Sequence, residues 1–229
     1  MATQPTEGDR DVRRRGELRQ MQVLVGLGAM VFSTIYILSD LIELAQGGFS
    51  PVQLALTYAA EAALPLFVLG IYALQRPHIG GLGLIGALGY AYSYVAFTAT
   101  VVYSFVEHTP DWVALTQRLG TWFLVHGVIM VVAGLCFGLA VLRAGVLPRW
   151  TAYTLMTGVC LVAVTVDLPD PVRVAAATVR AAAFIGMGLA ILRGPGIRLI
   201  DGTGRLSLSR PTPAARPGSS SARGPSPTG

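Results

Sequence analysis

Five ionisable side chains fall inside long apolar runs: Asp40, Glu43, Glu61, His126 and Arg180. An ionisable group in hydrocarbon costs roughly 2.5 kcal/mol or more, so such groups usually face a bundle interior and mark binding or proton-linked sites. We expect Arg180 to pair with Glu61 or Asp40, since a guanidinium matches a carboxylate. His126 is a candidate proton acceptor or hydrogen-bonding ligand, because imidazole changes charge near neutral pH. No catalytic residue is assigned.

These groups have a similar predicted depth, in the outer half of the membrane. They predict an outward-facing polar pocket, with further polar residues in its lining: Tyr58, Tyr92, Ser93, Thr98 and Tyr103. The alternative is a buried ion-pair network that only fixes helix packing.

The elements that position these residues follow from composition. The chain is 53% hydrophobic and 13% charged, with a mean hydropathy of +0.59, whereas soluble domains carry about 25% charged residues. This predicts an all-α membrane protein, a six-helix transmembrane bundle. The expected spans are residues 21–45, 52–74, 79–106, 121–142, 150–166 and 172–192. Because the fifth run is short, four spans followed by a re-entrant hairpin is an alternative.

Arginine placement predicts the orientation. The sequence has 17 basic residues, none of them Lys, and all but Arg118, Arg173 and Arg180 fall on one predicted side. The positive-inside rule then places both termini in the cytoplasm. Residues 1–20 and 194–229 are predicted to be disordered cytoplasmic tails around a bundle of residues 21–193. The absence of Lys and Asn is typical of GC-rich bacterial genes, so we expect the bacterial inner (plasma) membrane.

Glycines recur where helices are expected to approach closely. Gly134 and Gly138 form a GxxxG pair. Gly81, Gly83 and Gly86 match the dinucleotide-binding fingerprint in spacing, but that motif needs a preceding strand, so close helix contact is predicted instead. The sequences at three span ends are similar: residues 70–76, 138–143 and 188–193. This similarity predicts three helical-hairpin repeats. The alternative is a chance resemblance, because Gly, Leu, Ala and Arg are abundant in this chain.

Other functional classes find little support in the sequence. Cys136 and Cys160 lie inside spans and are expected to pack as small apolar residues. Glu107, His108 and Asp111 match no metal-ligand spacing, so no metal and no cofactor is predicted. No nucleic-acid partner is expected either, because the Arg residues lie at span ends and in tails.

A short helix is predicted between the third and fourth spans. Thr109 would be its N-cap, and Trp112, Leu115 and Leu119 would lie on the outer membrane surface.

The chain resembles a family of small, uncharacterised bacterial multi-pass membrane proteins with about six spans. The similar segments are the helix end at residues 70–76, the Gly-rich run from Gly81 and the linker of residues 143–150. The resemblance implies the fold and no activity. We expect a protein that binds or transports a small molecule or proton, in contact with the lipid bilayer, as a monomer or homo-oligomer. An accessory structural protein, or a lipid-modifying enzyme with Glu61 and His126 as acid and base, are the alternatives.

Overall fold

A computed structural model describes residues 7–194, which form helices and connecting turns without any strand. The helices are α1 (Glu7–Gln46), α2 (Pro51–Leu74), α3 (Gly80–Val106), α4 (Trp112–Leu119), α5 (Thr121–Ala144), α6 (Arg149–Val164) and α7 (Asp170–Arg193). The protein is therefore an all-helical bundle, and the helix bounds lie close to the apolar runs of the sequence. The predicted tail of residues 195–229 and residues 1–6 lie outside the described residues.

The six longer helices form a closed ring in the order α1, α2, α3, α5, α6, α7, with α7 back against α1. In this ring α1 lies opposite α5, α2 opposite α6, and α3 opposite α7. The short helix α4 covers one end, here named the capped end, beside the α1–α2 and α6–α7 turns. There the amide of Phe49 donates to the carbonyl of Pro110 at 2.8 Å, which joins two of the turns.

Five helices are long and apolar enough to cross a membrane: Gly16–Gln46, Pro51–Leu74, Gly80–Val106, Thr121–Ala144 and Asp170–Arg193. Large apolar side chains cover their outer faces, including Leu66, Ile85, Leu124 and Val95, which are 61–74% exposed. A soluble monomer rarely exposes so much contiguous apolar surface, so the bundle is that of a membrane protein. Helix α6 has 16 residues, about 24 Å of helix against about 30 Å of hydrocarbon.

Two local features differ from the sequence expectations. Residues 7–20, predicted to be disordered, belong to α1. Extending an existing helix avoids the cost of nucleation, so the apolar run carries its helix into the polar stretch. Helix α4 takes Asp111 as its N-cap instead of Thr109, and the Asp111 carboxylate accepts from the amide of Ala114 at 2.8 Å.

The half of the bundle away from the capped end is closely packed, and we name it the dense half. A Cβ on Gly86 would lie 2.5 Å from the backbone nitrogen of Phe137, so α3 and α5 are in backbone contact. Gly134 faces Tyr90 and Val159, and Gly138 faces α6, as the GxxxG pair predicts. A side chain at Gly86 would push α3 and α5 apart, whereas one at Gly134 or Gly138 would first displace neighbouring side chains.

An aromatic plug of Phe67, Tyr90 and Phe184 fills the centre of the ring in the dense half. Each of these side chains is at most 3% exposed. Phe184 on α7 lies 5.9 Å from Tyr90 on the opposite helix α3, centroid to centroid, and 5.4 Å from Phe67. The ring therefore has no continuous central passage through this half in the structure.

Candidate functional site

A cavity of about 360 Å³ occupies the centre of the ring between the aromatic plug and the capped end. All seven helices contribute to its lining, and α4 covers it with Trp112 and Leu115. Leu115 is buried, so these residues face the cavity, not the membrane surface that the sequence predicted for them. The volume is at the small end of the roughly 300–1,000 Å³ typical of ligand pockets.

Arg180 lies at the floor of the cavity and is only 6% exposed. Its guanidinium carbon is 5.1 Å from the ring centroid of Tyr36 and 5.6 Å from that of Tyr94. Its Nη1 is 3.7 Å from the sulfur of Met130. These three residues belong to α1, α3 and α5, so the guanidinium of Arg180 lies near the centre of the ring of helices.

The ion pair expected between Arg180 and Glu61 or Asp40 is not formed. Among the residues that the structure describes, ion pairs within 4.0 Å involve Arg173, not Arg180. The guanidinium is instead held by aromatic faces and a thioether, which stabilise a cation without neutralising its charge. Among the described residues, the charge of Arg180 is therefore buried without a carboxylate partner.

The position of Arg180 is set by its backbone. A Cβ on Gly158 of α6 would lie 2.6 Å from the Cα of Arg180. The absence of a side chain at Gly158 thus brings α6 against α7 at the residue that carries the charge.

One wall of the cavity, formed by α1 and α2, is polar. Gln53, Thr57 and Glu61 follow one another at four-residue spacing along α2, and therefore lie on one helix face. The Gln53 Nε2 donates to Glu43 Oε2 at 3.3 Å and to Thr57 Oγ1 at 3.1 Å. Because the amide nitrogen is the atom that faces the carboxylate, the orientation of the amide is fixed.

Two acceptor atoms on this wall have no hydrogen-bond partner. Gln53 Oε1 and Glu61 Oε2 are both buried and unpaired, and both residues line the cavity. A buried acceptor without a donor costs about 1–3 kcal/mol. The polar wall therefore contains two buried acceptors that no group in the described residues satisfies.

The opposite wall, formed by α5 and α6, is apolar. Its lining consists of Phe123, Leu124, Gly127, Val128, Met130, Val131 and Val132 on α5, with Val162, Ala163, Thr165 and Val166 on α6 and just after it. The hydroxyl of Thr165 donates to the carbonyl of Leu161 at 2.7 Å, so it offers little polarity to the cavity. The cavity thus has a polar wall facing an apolar wall.

A polar latch closes the capped end around Arg173. Its Nη2 lies 2.6 Å from Asp170 Oδ1 and 3.6 Å from Glu43 Oε1. Its guanidinium carbon is 4.7 Å from the ring centroid of Trp112, whose Nε1 donates to the carbonyl of Val166 at 3.3 Å. This latch links α1, α4, α7 and the turn after α6.

Of the five predicted site residues, four line the cavity: Asp40, Glu43, Glu61 and Arg180. His126 does not, and lies between α3 and α5. Its Nδ1 is 2.7 Å from the carbonyl of Trp122, and its Nε2 is 3.2 Å from the hydroxyl of Tyr92. Glu61 and His126 therefore do not share the cavity as an acid–base pair would require.

The predicted lining on α3 is displaced around the helix. Tyr92, Ser93, Thr98 and Tyr103 on α3 are not in the lining, nor is Tyr58 on α2, and Tyr58 and Tyr92 are about half exposed. The face of α3 that lines the cavity carries Tyr94, Phe97, Thr100, Val101 and Ser104. A span that is apolar on all sides does not reveal which face points inward.

Several lining residues were not singled out from the sequence. Tyr36 stands one helical turn before Asp40, and Gln53 stands two turns before Glu61. These spacings of four and eight residues were available as a signal that each pair shares a face. Across residues 7–194 no cluster of three or more His, Cys, Asp or Glu side chains is arranged to hold a metal ion.

Comparison of the chain with protein-family models, with curated proteins and with solved structures finds no match.

Proposed function

We propose that this membrane protein binds a small molecule in the cavity at its capped end. The observation that carries the proposal is a cavity in which charged and polar groups of the lining remain without partners in the described part of the protein. Arg180 has no carboxylate within ion-pair distance, and Glu61 Oε2 has no donor. A network that only fixed helix packing would join these groups directly, since an unpaired buried group costs free energy.

The blind shape of the cavity supports binding over passage. The aromatic plug closes the centre of the ring below Arg180. Transport of a molecule or proton would require the plug to move, whereas binding requires no such step.

The membrane arrangement is part of the same proposal. We take α6 as a sixth span, so that α1–α2, α3–α5 and α6–α7 form three hairpins with both termini in the cytoplasm of a bacterial cell. The capped end carries Arg118 and Arg173 but also Glu107, Asp111 and Asp170. This end is therefore poor in net positive charge, which favours the outer side.

Thiol labelling in the membrane tests whether the cavity admits small molecules. In a protein without its own thiols (Cys136→Ala, Cys160→Ala), Thr100→Cys should react with N-ethylmaleimide. Thr100 is buried but lines the cavity. The matched control is Ser93→Cys, on the same helix and buried outside the cavity. Because Ser93 is reached only by local opening, its labelling should be at least about tenfold slower. Equal rates at the two positions would refute the proposal.

A cavity-filling substitution provides the second control. Gly127 lines the cavity, and a Cβ there meets nothing within 4 Å. Gly127→Leu should slow the labelling of Thr100→Cys and leave the thermal stability unchanged, because added apolar volume occupies empty space. Gly81→Leu, which also has open space at its Cβ but lies outside the cavity, should leave the labelling rate unchanged.

A further inference from the structure

The cavity extends to the outer, lipid-facing surface of the ring between α5 and α6. Leu124, Val128 and Val132 repeat at four-residue spacing on α5 and line the cavity, yet they are 65%, 54% and 56% exposed. Ala163 on α6 is also both exposed and part of the lining. The cavity therefore has a lateral gap, bounded by these four residues.

The gap is confined to the cavity half of the bundle, because α5 and α6 contact each other only in the dense half. Gly134 of α5 contacts Val159, and Gly138 contacts Met156 and Ala152 of α6. Beyond Val159 the side chains of α6 line the cavity, and α6 ends at Val164. Towards the aqueous side α4 covers the cavity. A molecule that reaches the cavity through the gap comes from the hydrocarbon of the bilayer, where acyl chains are the abundant species.

The polar wall lies across the ring from this gap. A molecule that enters between α5 and α6 faces Gln53 and Glu61 of α2, with Arg180 at the floor. Glu61 and Arg180 both line the cavity; a carboxylate accepts hydrogen bonds, whereas a guanidinium donates them. A hydroxyl group serves both roles.

The charges in the lining favour a neutral head group. The lining carries both signs of charge, Asp40, Glu43 and Glu61 against Arg173 and Arg180, so a head group with a single charge is repelled by one of the two sets. Such repulsion is strong in a site of low dielectric constant. The cavity volume of about 360 Å³ suits a glycerol head with the start of a chain, so the rest of the chain must lie in the gap.

Building on the proposed function, we infer that the ligand is a neutral, hydroxyl-bearing lipid of the monoacylglycerol class. Its head group lies against Gln53, Glu61 and Arg180. Its acyl chain leaves the cavity through the gap between α5 and α6 into the bilayer.

Photocrosslinking of the wild-type protein in proteoliposomes tests this inference. The probe is a monoacylglycerol that carries a diazirine on its acyl chain, and crosslinked residues are mapped by mass spectrometry. We expect saturable crosslinks in residues 123–132 and 162–166, which unlabelled monooleoylglycerol removes. Methyl oleate lacks the hydroxyls and should not compete. Crosslinks spread over all lipid-facing surfaces, with no saturable part, would overturn the inference.

Two valines on one helix provide the matched variants. Val128 lines the gap, whereas Val125 is similarly exposed at 47% but lies outside the lining. Val128→Trp should abolish the saturable crosslinks, and Val125→Trp should retain them. Equal crosslinking of the two variants would contradict access through the gap. Equal competition by oleoyl lysophosphatidate, which has an anionic head, would contradict the neutral-head assignment.

The inference can fail without the proposed function failing. If Thr100→Cys is labelled faster than Ser93→Cys but no saturable crosslink forms, the cavity binds a different class of molecule and the lipid assignment is wrong. If neither result is obtained, both proposals are wrong.

Discussion

The two halves of the bundle use the same ring of helices in opposite ways. In the dense half, glycines bring backbones into contact, and Phe67, Tyr90 and Phe184 fill the centre. In the cavity half, the centre holds about 360 Å³ of space and the polar residues of the spans. One half is thus filled by close contacts, and the other holds the charged and polar side chains of the spans around an open space.

This difference shows how a membrane bundle can hold unpaired charges. Helix association in lipid depends on close van der Waals contact and not on a hydrophobic driving force. The dense half supplies that contact through Gly86, Gly134 and Gly138, so the cavity half need not be filled for the ring to close. The costs of Arg180 and of the unpaired acceptors are thereby offset elsewhere in the fold.

The largest expected effect comes from substituting one glycine by leucine in each half of the bundle. Gly86→Leu places a side chain where a Cβ already lies 2.5 Å from the Phe137 nitrogen and 2.8 Å from its Cα. Overpacking usually costs about 1–3 kcal/mol, and more when backbones must separate. We expect loss of the monodisperse folded protein in detergent by size-exclusion chromatography, whereas Gly127→Leu remains folded. Similar behaviour of the two variants would erase the distinction between the halves.

A smaller effect is expected from the polar latch. Arg173→Gln removes the ion pairs with Asp170 and Glu43 and the contact with Trp112. These groups are partly exposed, so the loss in unfolding free energy should be about 1–2 kcal/mol. Reversible unfolding in mixed micelles measures it, with Arg118→Gln on the exposed side of α4 as the control. No difference between the two variants would show that the latch does not stabilise the capped end.

The smallest effect on stability is expected at Arg180, the buried charge on the cavity floor. Arg180→Met loses the contacts with Tyr36 and Tyr94, worth about 0.5–2 kcal/mol, but it also removes the desolvation cost of the guanidinium. These effects oppose each other, so the unfolding free energy should change by less than about 1 kcal/mol while saturable monoacylglycerol crosslinking is lost. A loss of about 3–5 kcal/mol, as when a buried ion pair is broken, would instead indicate that Arg180 is a structural residue.

Much of the fold could be predicted from the sequence, because apolar runs and turn residues are local signals. The predicted run 52–74 became α2 (Pro51–Leu74), and 121–142 became α5 (Thr121–Ala144). The helical extension of α1 back to Glu7 was missed, since polar composition alone does not report that a neighbouring span already provides a helix nucleus.

The site was harder to predict because it depends on which faces of different helices meet. The cost of a charge in lipid identified Asp40, Glu61 and Arg180 without any contact information. The same argument selected His126, but both ring nitrogens of His126 have hydrogen-bond partners outside the cavity, the carbonyl of Trp122 and the hydroxyl of Tyr92. The depth of a residue in the membrane follows from its position along the helix. The rotation of the helix about its axis depends on the helices packed against it. For that reason the sequence predicted the wrong face of α3 as the cavity lining.

The contact between Gly158 and Arg180 links two parts of the cavity mechanically. Helix α6 forms one edge of the lateral gap, and four to eight residues earlier its backbone lies against the Cα of Arg180. Because the two backbones touch at this point, a change in the tilt of α6 would act directly on the backbone of Arg180. Gly158 thus couples the position of the helix that borders the proposed gap to the position of the buried charge.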